Sequence, residues 1–233
     1  AAVGRPREEG IFSKTLCTKT IYNYIDLGMI RIKNFHLPLK LRRKSKGSVI
    51  RKNKKILGDS ISIRPYHINN REEFGHWEID TVIGSKSKKD EVLLTLVERK
   101  TRNAMVRKIS GKTADAVMAE LYQLKKYFGS EFSRVFKTIT SDNGSEFSDL
   151  SALRTSNTKI YFTHPYSSFE RGTNERHNGL LRRFIPKGRL ISHYSHEAIS
   201  LLEDCINNLP RKILGYKTPE ELFDLELDLI YSR

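Results

Sequence analysis

Three runs with strand character follow one another from His76: HWEIDTVIG, EVLLTLVERKT and NAMVRKISG, joined by short polar connections such as SKSKKD. Alternating and β-branched residues suit a pleated, half-buried surface, and joins this short favour antiparallel neighbours. Lys112 to Phe128 then reads as a helix, with Val117, Leu121, Leu124 and Phe128 on one face and Gly129 after its end. FKTIT reads as a short strand, SEFSDLSALR as a helix and TKIYFTH as a final strand. Strands followed by alternating helix and strand predict a mixed five-stranded α/β sheet flanked by helices.

Two more helices close the chain. Ser195 can cap one, with Ile199, Leu202, Ile206 and Leu209 in register before Pro210. In TPEELF, Thr218 is a cap, Pro219 the first helical residue and Glu221 the third, a strong start signal. Both read as cover for the sheet.

Charge divides the chain. Residues 1–70 carry a net +12 and residues 71–233 only +3, so a basic arm precedes a nearly balanced body. No apolar run approaches the ~18 residues of a membrane span, and no positive-plus-apolar leader is present, which disfavours a membrane partner or secretion. Cys17 and Cys205 are far apart without ligand-like spacing and read as reduced thiols of a cytoplasmic protein.

Within the arm, residues 1–13 have little periodic signal and read as the middle of a longer protein. Thr18 or Thr20 can cap a short helix, TIYNYIDLG, with Ile21, Tyr24 and Ile25 as its apolar stripe and Gly28 as its stop. Lys19 and Asn23 would point outward. Such a helix reads equally as the recognition helix of a helix-turn-helix or as a small amphipathic helix packed on the body. Lys40 to Lys55 holds nine basic residues and no acid, a connector that cannot form a core. Arg42, Arg43, Lys44, Lys52 and Lys54 are expected to lie along DNA phosphates, giving affinity without sequence information.

The segment PYSSFERGTNERHNGLLRRFIPKG, Pro165 to Gly188, reads as a basic, polar helix carrying one unassigned acid, Glu175. Ser167 and Glu170 are expected to form its capping box. Asn178, Gly179 and Arg182 share the face of Glu175. Two more acids stand out, Asp80 inside the first strand and Asp142 after FKTIT, in SDNGSEF. Asp is disfavoured in strands and rarely buried alone. Brought together, such acids would repel by about 4 kcal/mol per pair at 4 Å and an effective dielectric near 20. Hard divalent cations would remove that cost.

The ordered set Asp80, Asp142 and Glu175, with spacings of 62 and 33, resembles the DDE transposases and retroviral-type integrases. HWEID, SDNGSEF and PYSSFERGTNERHNGLLRRFIPKG are more narrowly similar to the bacterial IS-thirty insertion-sequence transposases, over roughly Arg64 to Phe223. The resemblance implies an RNase H-like fold and Mg²⁺- or Mn²⁺-dependent cleavage and transfer of DNA strands at mobile-element ends. It implies two metal ions, with Asp80 shared between them and Asp142 and Glu175 each holding one. It implies double-stranded DNA as partner, a homo-oligomer, and action in the bacterial cytoplasm on the nucleoid. The organisation expected is a partial helix-turn-helix-like segment over 1–35, a basic linker over 36–63 and a catalytic core over 64–233.

Other residues compete for roles. Glu78 shares the strand face of Asp80, though surface pairing is the plainer reading. Glu146 and Asp149 sit at early helix positions, where acids favour the dipole. His76 and His177 read equally as functional residues, carrying protons or contacting DNA, or as hydrogen-bonded structural residues, and Trp77 reads as core. Asn174 and Asn178 flank Glu175 and read either as residues that orient it or as phosphate contacts. Arg171, Arg176, Arg182, Arg183 and Lys187 give the helix a basic margin expected to meet DNA phosphates. Two other functions remain open: a catalytically inactive DNA-binding remnant of a transposase, and an RNase H-type nuclease that does not join strands. No glycine-rich nucleotide loop is present, consistent with chemistry that needs no ATP.

Overall fold

The computed structural model describes residues 3–12, 14–37, 56–85, 90–165 and 167–232. The chain forms two compact units, one of Ala1–Lys52 with Pro210–Lys217 and the other of Asn53–Leu209 with Thr218–Arg233. In the smaller unit, α1 spans Gly4–Glu8 and α2 spans Thr18–Asp26. α2 starts after Cys17 without a side-chain cap, so neither threonine caps it. Gly28, at φ 70°, lets the chain leave that helix. Ile25 is buried, while Lys19 and Asn23 are exposed. Arg42, Arg43, Lys44, Lys52 and Lys54 lie outside the described residues.

The larger unit is built on a five-stranded sheet in the order β3-β2-β1-β4-β5. Its strands are β1 His76–Ile83, β2 Val92–Glu98, β3 Ala104–Ile109, β4 Thr138–Ser141 and β5 Lys159–Phe162. β1, β2 and β3 are antiparallel neighbours, while β1, β4 and β5 run parallel, so the sheet is mixed as the sequence predicts. Helices α3 (Ala114–Phe128), α4 (Phe132–Val135), α5 (Gly172–Phe184), α6 (His196–Asn207) and α7 (Pro219–Tyr231) complete it. The expected Ser195 cap forms, Thr113 caps α3, and Thr218 and Glu221 make the expected capping box. SEFSDLSALR differs from expectation: it makes two short 3₁₀ turns, Ser145–Phe147 and Leu150–Leu153, with Ser, Asp and Leu side chains too few in register to extend a helix.

The alternation of β1 divides its side chains between two layers. Trp77 and Ile79 enter a core with Leu94, Leu96, Ile139 and Phe136, closed by Val117, Leu121 and Phe128 of α3 and Phe223 of α7. Full burial of each such side chain contributes roughly 1.5–3 kcal/mol. On the other face Val82, Leu93 and Val106 pack under Leu181 and Ile185 and under Ile199, Leu202 and Ile206 of α6. The polar residues of β1, Glu78 and Asp80, share this second face, toward the start of α5.

The β2–β3 turn hangs on Glu98. Its fully buried carboxylate accepts from the backbone N–H groups of Gly75, His76, Lys100 and Thr101 and from the Thr101 hydroxyl. Glu98→Ala is expected to cost about 2–3 kcal/mol, because several buried donors lose their acceptor at once. Urea unfolding followed by the fluorescence of Trp77, the single tryptophan, measures it, and Glu98→Gln should lose less.

Candidate active site

Register brings the first two acids together. β1 and β4 pair in parallel with Trp77 opposite Ile139 and Glu78 opposite Thr140. Asp80 lies two residues beyond the last of these pairs on β1 and Asp142 directly follows the end of β4, so the pairing carries both acids toward the same end of the sheet. The Asp142 loop is held by its neighbours: Asn143 donates to the Thr163 carbonyl and accepts from the Leu57 N–H, and Gly144 N–H donates to Asp142 Oδ1 at 2.9 Å. A Cβ at Gly144 would stand 2.4 Å from Glu146 Oε2, so any larger residue there would displace the Glu146 carboxylate.

A guanidinium lies between the two carboxylates. Arg171 Nη2 donates to Asp142 Oδ2 at 2.8 Å, Nη1 donates to the Ile79 carbonyl at 2.7 Å, and Nη1 is 3.4 Å from Asp80 Oδ1. The remaining Asp80 contacts are the Thr81 N–H to Oδ1 at 2.9 Å and Asn178 Nδ2 to Oδ2 at 2.8 Å. Burial raises the Asp80 carboxyl above its usual range; Arg171 opposes that shift and the charge of Asp142 adds to it. Arg171 was expected on the DNA-facing margin and is instead buried against the acids. Its side chain must neutralise two neighbouring carboxylates before it can serve elsewhere.

Glu175 occupies α5 one turn after Arg171 and three residues before Asn178, both of which touch Asp80. Residues at these spacings are neighbours on a helix surface, about 5–6 Å between Cβ atoms. Glu175 is exposed. The three carboxylates are not among groups drawn within 4.8 Å of one another; among the described residues His67, Glu73 and His76 are such a group.

α5 is fixed to the sheet by polar contacts that the sequence reading did not anticipate. Glu78 is fully buried, not surface-paired: Oε1 accepts from Arg99 Nη1 and Oε2 from the Asn174 N–H, each at 2.9 Å. The Glu78 carboxylate thereby satisfies an orphan donor in the first turn of α5. The capping box of Ser167 and Glu170 does not form; Glu170 accepts from the His164 backbone N–H and its carboxylate meets His164 Nδ1 at 2.7 Å. Thr95, opposite Asp80 on β2, has its hydroxyl within reach of the Asp80 carbonyl and of the Asn174 and Asn178 side chains. The signal that would have found Thr95 is the antiparallel register itself.

The rival residues have structural partners. Glu146 is buried, accepting from the Thr81 hydroxyl and 3.0 Å from Lys112 Nζ. His76 is buried between Thr138 and Glu73, and His177 between the carbonyls of Thr173 and Arg102. Trp77 is fully buried, its indole N–H donating to the Val135 carbonyl. Arg182 is half-buried and donates to the Ile83 carbonyl, while Arg176, Arg183 and Lys187 are exposed along α5 and just beyond it.

Residues 70–168 match the family of integrase core domains, a span holding Asp80 and Asp142 and ending before Glu175. The chain is 44% identical over 208 residues to a probable transposase for the insertion-like sequence element IS1161 of Streptococcus salivarius, covering 89% of this chain and 58% of that one. It is 37% identical over 227 residues to the transposase for insertion sequence element IS4351 of Bacteroides fragilis, covering 95% of this chain and 67% of that one. The chain thus spans about three fifths to two thirds of the length of these relatives. In three dimensions it is similar to a chain of the simian T-cell lymphotropic virus intasome, with a TM-score of 0.50 and 21% identity over 64% of this chain and 54% of that one. That likeness and the strand order give the fold as RNase H-like. No helix of the described residues is long and apolar enough to cross a membrane.

Proposed function

The chain belongs to the transposases of bacterial insertion sequences, and from that membership and its paired acids we propose that it cuts DNA strands at element ends and joins them to a target. The observation that carries the reading is the pair Asp80 and Asp142, both in contact with the Arg171 guanidinium, with Glu175 one helical turn after that arginine. The donors are all carboxylate oxygens in partly exposed side chains, a set that fits hard cations such as Mg²⁺ or Mn²⁺. Asp80, Asp142 and Glu175 would hold two such ions. When bound, the ions supply charge stabilisation to the attacking and leaving oxygens of a phosphodiester exchange.

The chain's own residues do the positioning. Asn178 orients Asp80, Glu78 and Arg99 fix the start of α5 and hence the place of Glu175, and Arg171 balances the acid pair until DNA and ions arrive. Released from that role, the Arg171 guanidinium would be free to meet a phosphate of the bound strand. Arg176, Arg183 and Lys187 give the exposed side of α5 a positive margin for the backbone, and Arg182 sits at its inner edge. In this reading residues 1–35 contact DNA through Lys19 and Asn23 of α2, 36–63 form the basic linker with Arg42, Arg43, Lys44, Lys52 and Lys54, and 64–233 form the catalytic core. The protein works as a homo-oligomer on duplex DNA of the bacterial nucleoid.

Incubating the protein with Mg²⁺, a supercoiled plasmid and a labelled oligonucleotide ending in a 3′-OH tests the reading. Label joined to plasmid without ATP is the expected result. Cleavage of RNA in a hybrid without any joining would assign the site to a nuclease instead.

A further inference from the structure

Away from the acid pair, three side chains converge ahead of β1. Nε2 of His76 lies 2.9 Å from Glu73 Oε2, and Nε2 of His67 lies 3.4 Å from the same oxygen. Ligand atoms of the three residues all lie within 4.8 Å of one another. Two of the three are also held from behind. Nδ1 of His76 faces Thr138 Oγ1 at 2.8 Å, and the second Glu73 oxygen accepts from Lys137 Nζ at 2.7 Å. Each contact leaves the inner atom directed at the shared point, the arrangement that orients metal-binding imidazoles and carboxylates.

We infer that His67, Glu73 and His76 form a second metal site, distinct from the acid pair, for a borderline divalent ion of which Zn²⁺ is the best fit. Two imidazole nitrogens and one carboxylate oxygen are a zinc donor set, with a fourth corner left for water. Mg²⁺ prefers oxygen alone, so the two sites differ in the ion they select. Metal bonds of about 2.0–2.1 Å place tetrahedral ligand atoms roughly 3.4 Å apart, so the His67–Glu73 pair already stands at that spacing and the His76–Glu73 pair must open by about half an ångström. The ion would tie the 3₁₀ turn Tyr66–Asn70 to the first residue of β1 and, through Lys137 and Thr138, to the start of β4.

The untagged 233-residue chain, stripped with a chelator and dialysed, is titrated with ZnCl₂ by calorimetry, and its thermal unfolding is followed with and without zinc. One equivalent of zinc and a raised Tm are expected. His67 is exposed, so His67→Ala should fold as the parent does by circular dichroism while binding zinc at least ~10-fold more weakly. An Asp80→Asn, Asp142→Asn double variant should bind zinc as the parent does. No zinc-dependent rise in Tm, undiminished binding by His67→Ala, or loss of binding in the double variant would each overturn the inference. None of these results bears on strand joining, which is read separately.

Discussion

Asp80→Asn, Asp142→Asn and Glu175→Gln are each expected to lower Mg²⁺-dependent nicking of DNA at least ~10³-fold, about 4 kcal/mol of transition-state stabilisation, with DNA binding unchanged within about twofold. The reason lies in what each change removes. Every variant keeps the size of its side chain and one acceptor oxygen, and loses the charge that would hold a cation. Stability should fall little, because each single change at Asp80 or Asp142 relieves the repulsion between the acids and leaves Arg171 the other carboxylate as a charged partner. Loss of nicking in a fully folded variant is therefore assignable to chemistry. Electrophoretic shift on duplex DNA and gel nicking assays read the two properties on the same preparation.

Glu78→Ala is expected to have the largest effect on stability, about 3–5 kcal/mol. Arg99 is buried and ion-paired with Glu78, and removal of one partner leaves the other charge stranded in the interior. The same substitution removes the acceptor for the Asn174 N–H and so frees the start of α5, the helix that carries Glu175. Nicking should fall with stability in this variant. Glu78→Gln, which keeps an acceptor for Asn174, should recover part of both. Urea unfolding monitored at Trp77 supplies the measurement; a loss under about 1 kcal/mol would show that Arg99 finds another partner or water.

The sheet was legible from His76 onward because β1, β2 and β3 carry their alternation locally and sit next to one another in space. Asp80 was legible for the same reason, as a carboxylate in a strand where only a partner makes it tolerable. What stood opposite it was not. The parallel pairing of β1 with β4 joins residues about 60 apart, and nothing local to FKTIT specifies that Asp142 ends beside Asp80. Arg171 looked like one more basic residue of a DNA-facing helix, since its use as a bridge depends on that same long-range register. Glu78 and Glu170 failed differently. Their sequence contexts offered a solvated strand acid and a helix cap, and tertiary partners, Arg99 with Asn174 in one case and His164 in the other, took both carboxylates. The charge division of the chain was plain in the sequence, but it says only which partner is attracted and not which lysine touches it.

The central claim is that Asp80, Asp142 and Glu175 share one pair of ions although they stand 62 and 33 residues apart. Anomalous diffraction from crystals grown with Mn²⁺ and a DNA end tests it directly. The account predicts manganese peaks bonded to all three carboxylates at one centre, with Arg171 withdrawn from between Asp80 and Asp142. Manganese absent from that centre, or bound there without Glu175, would contradict it.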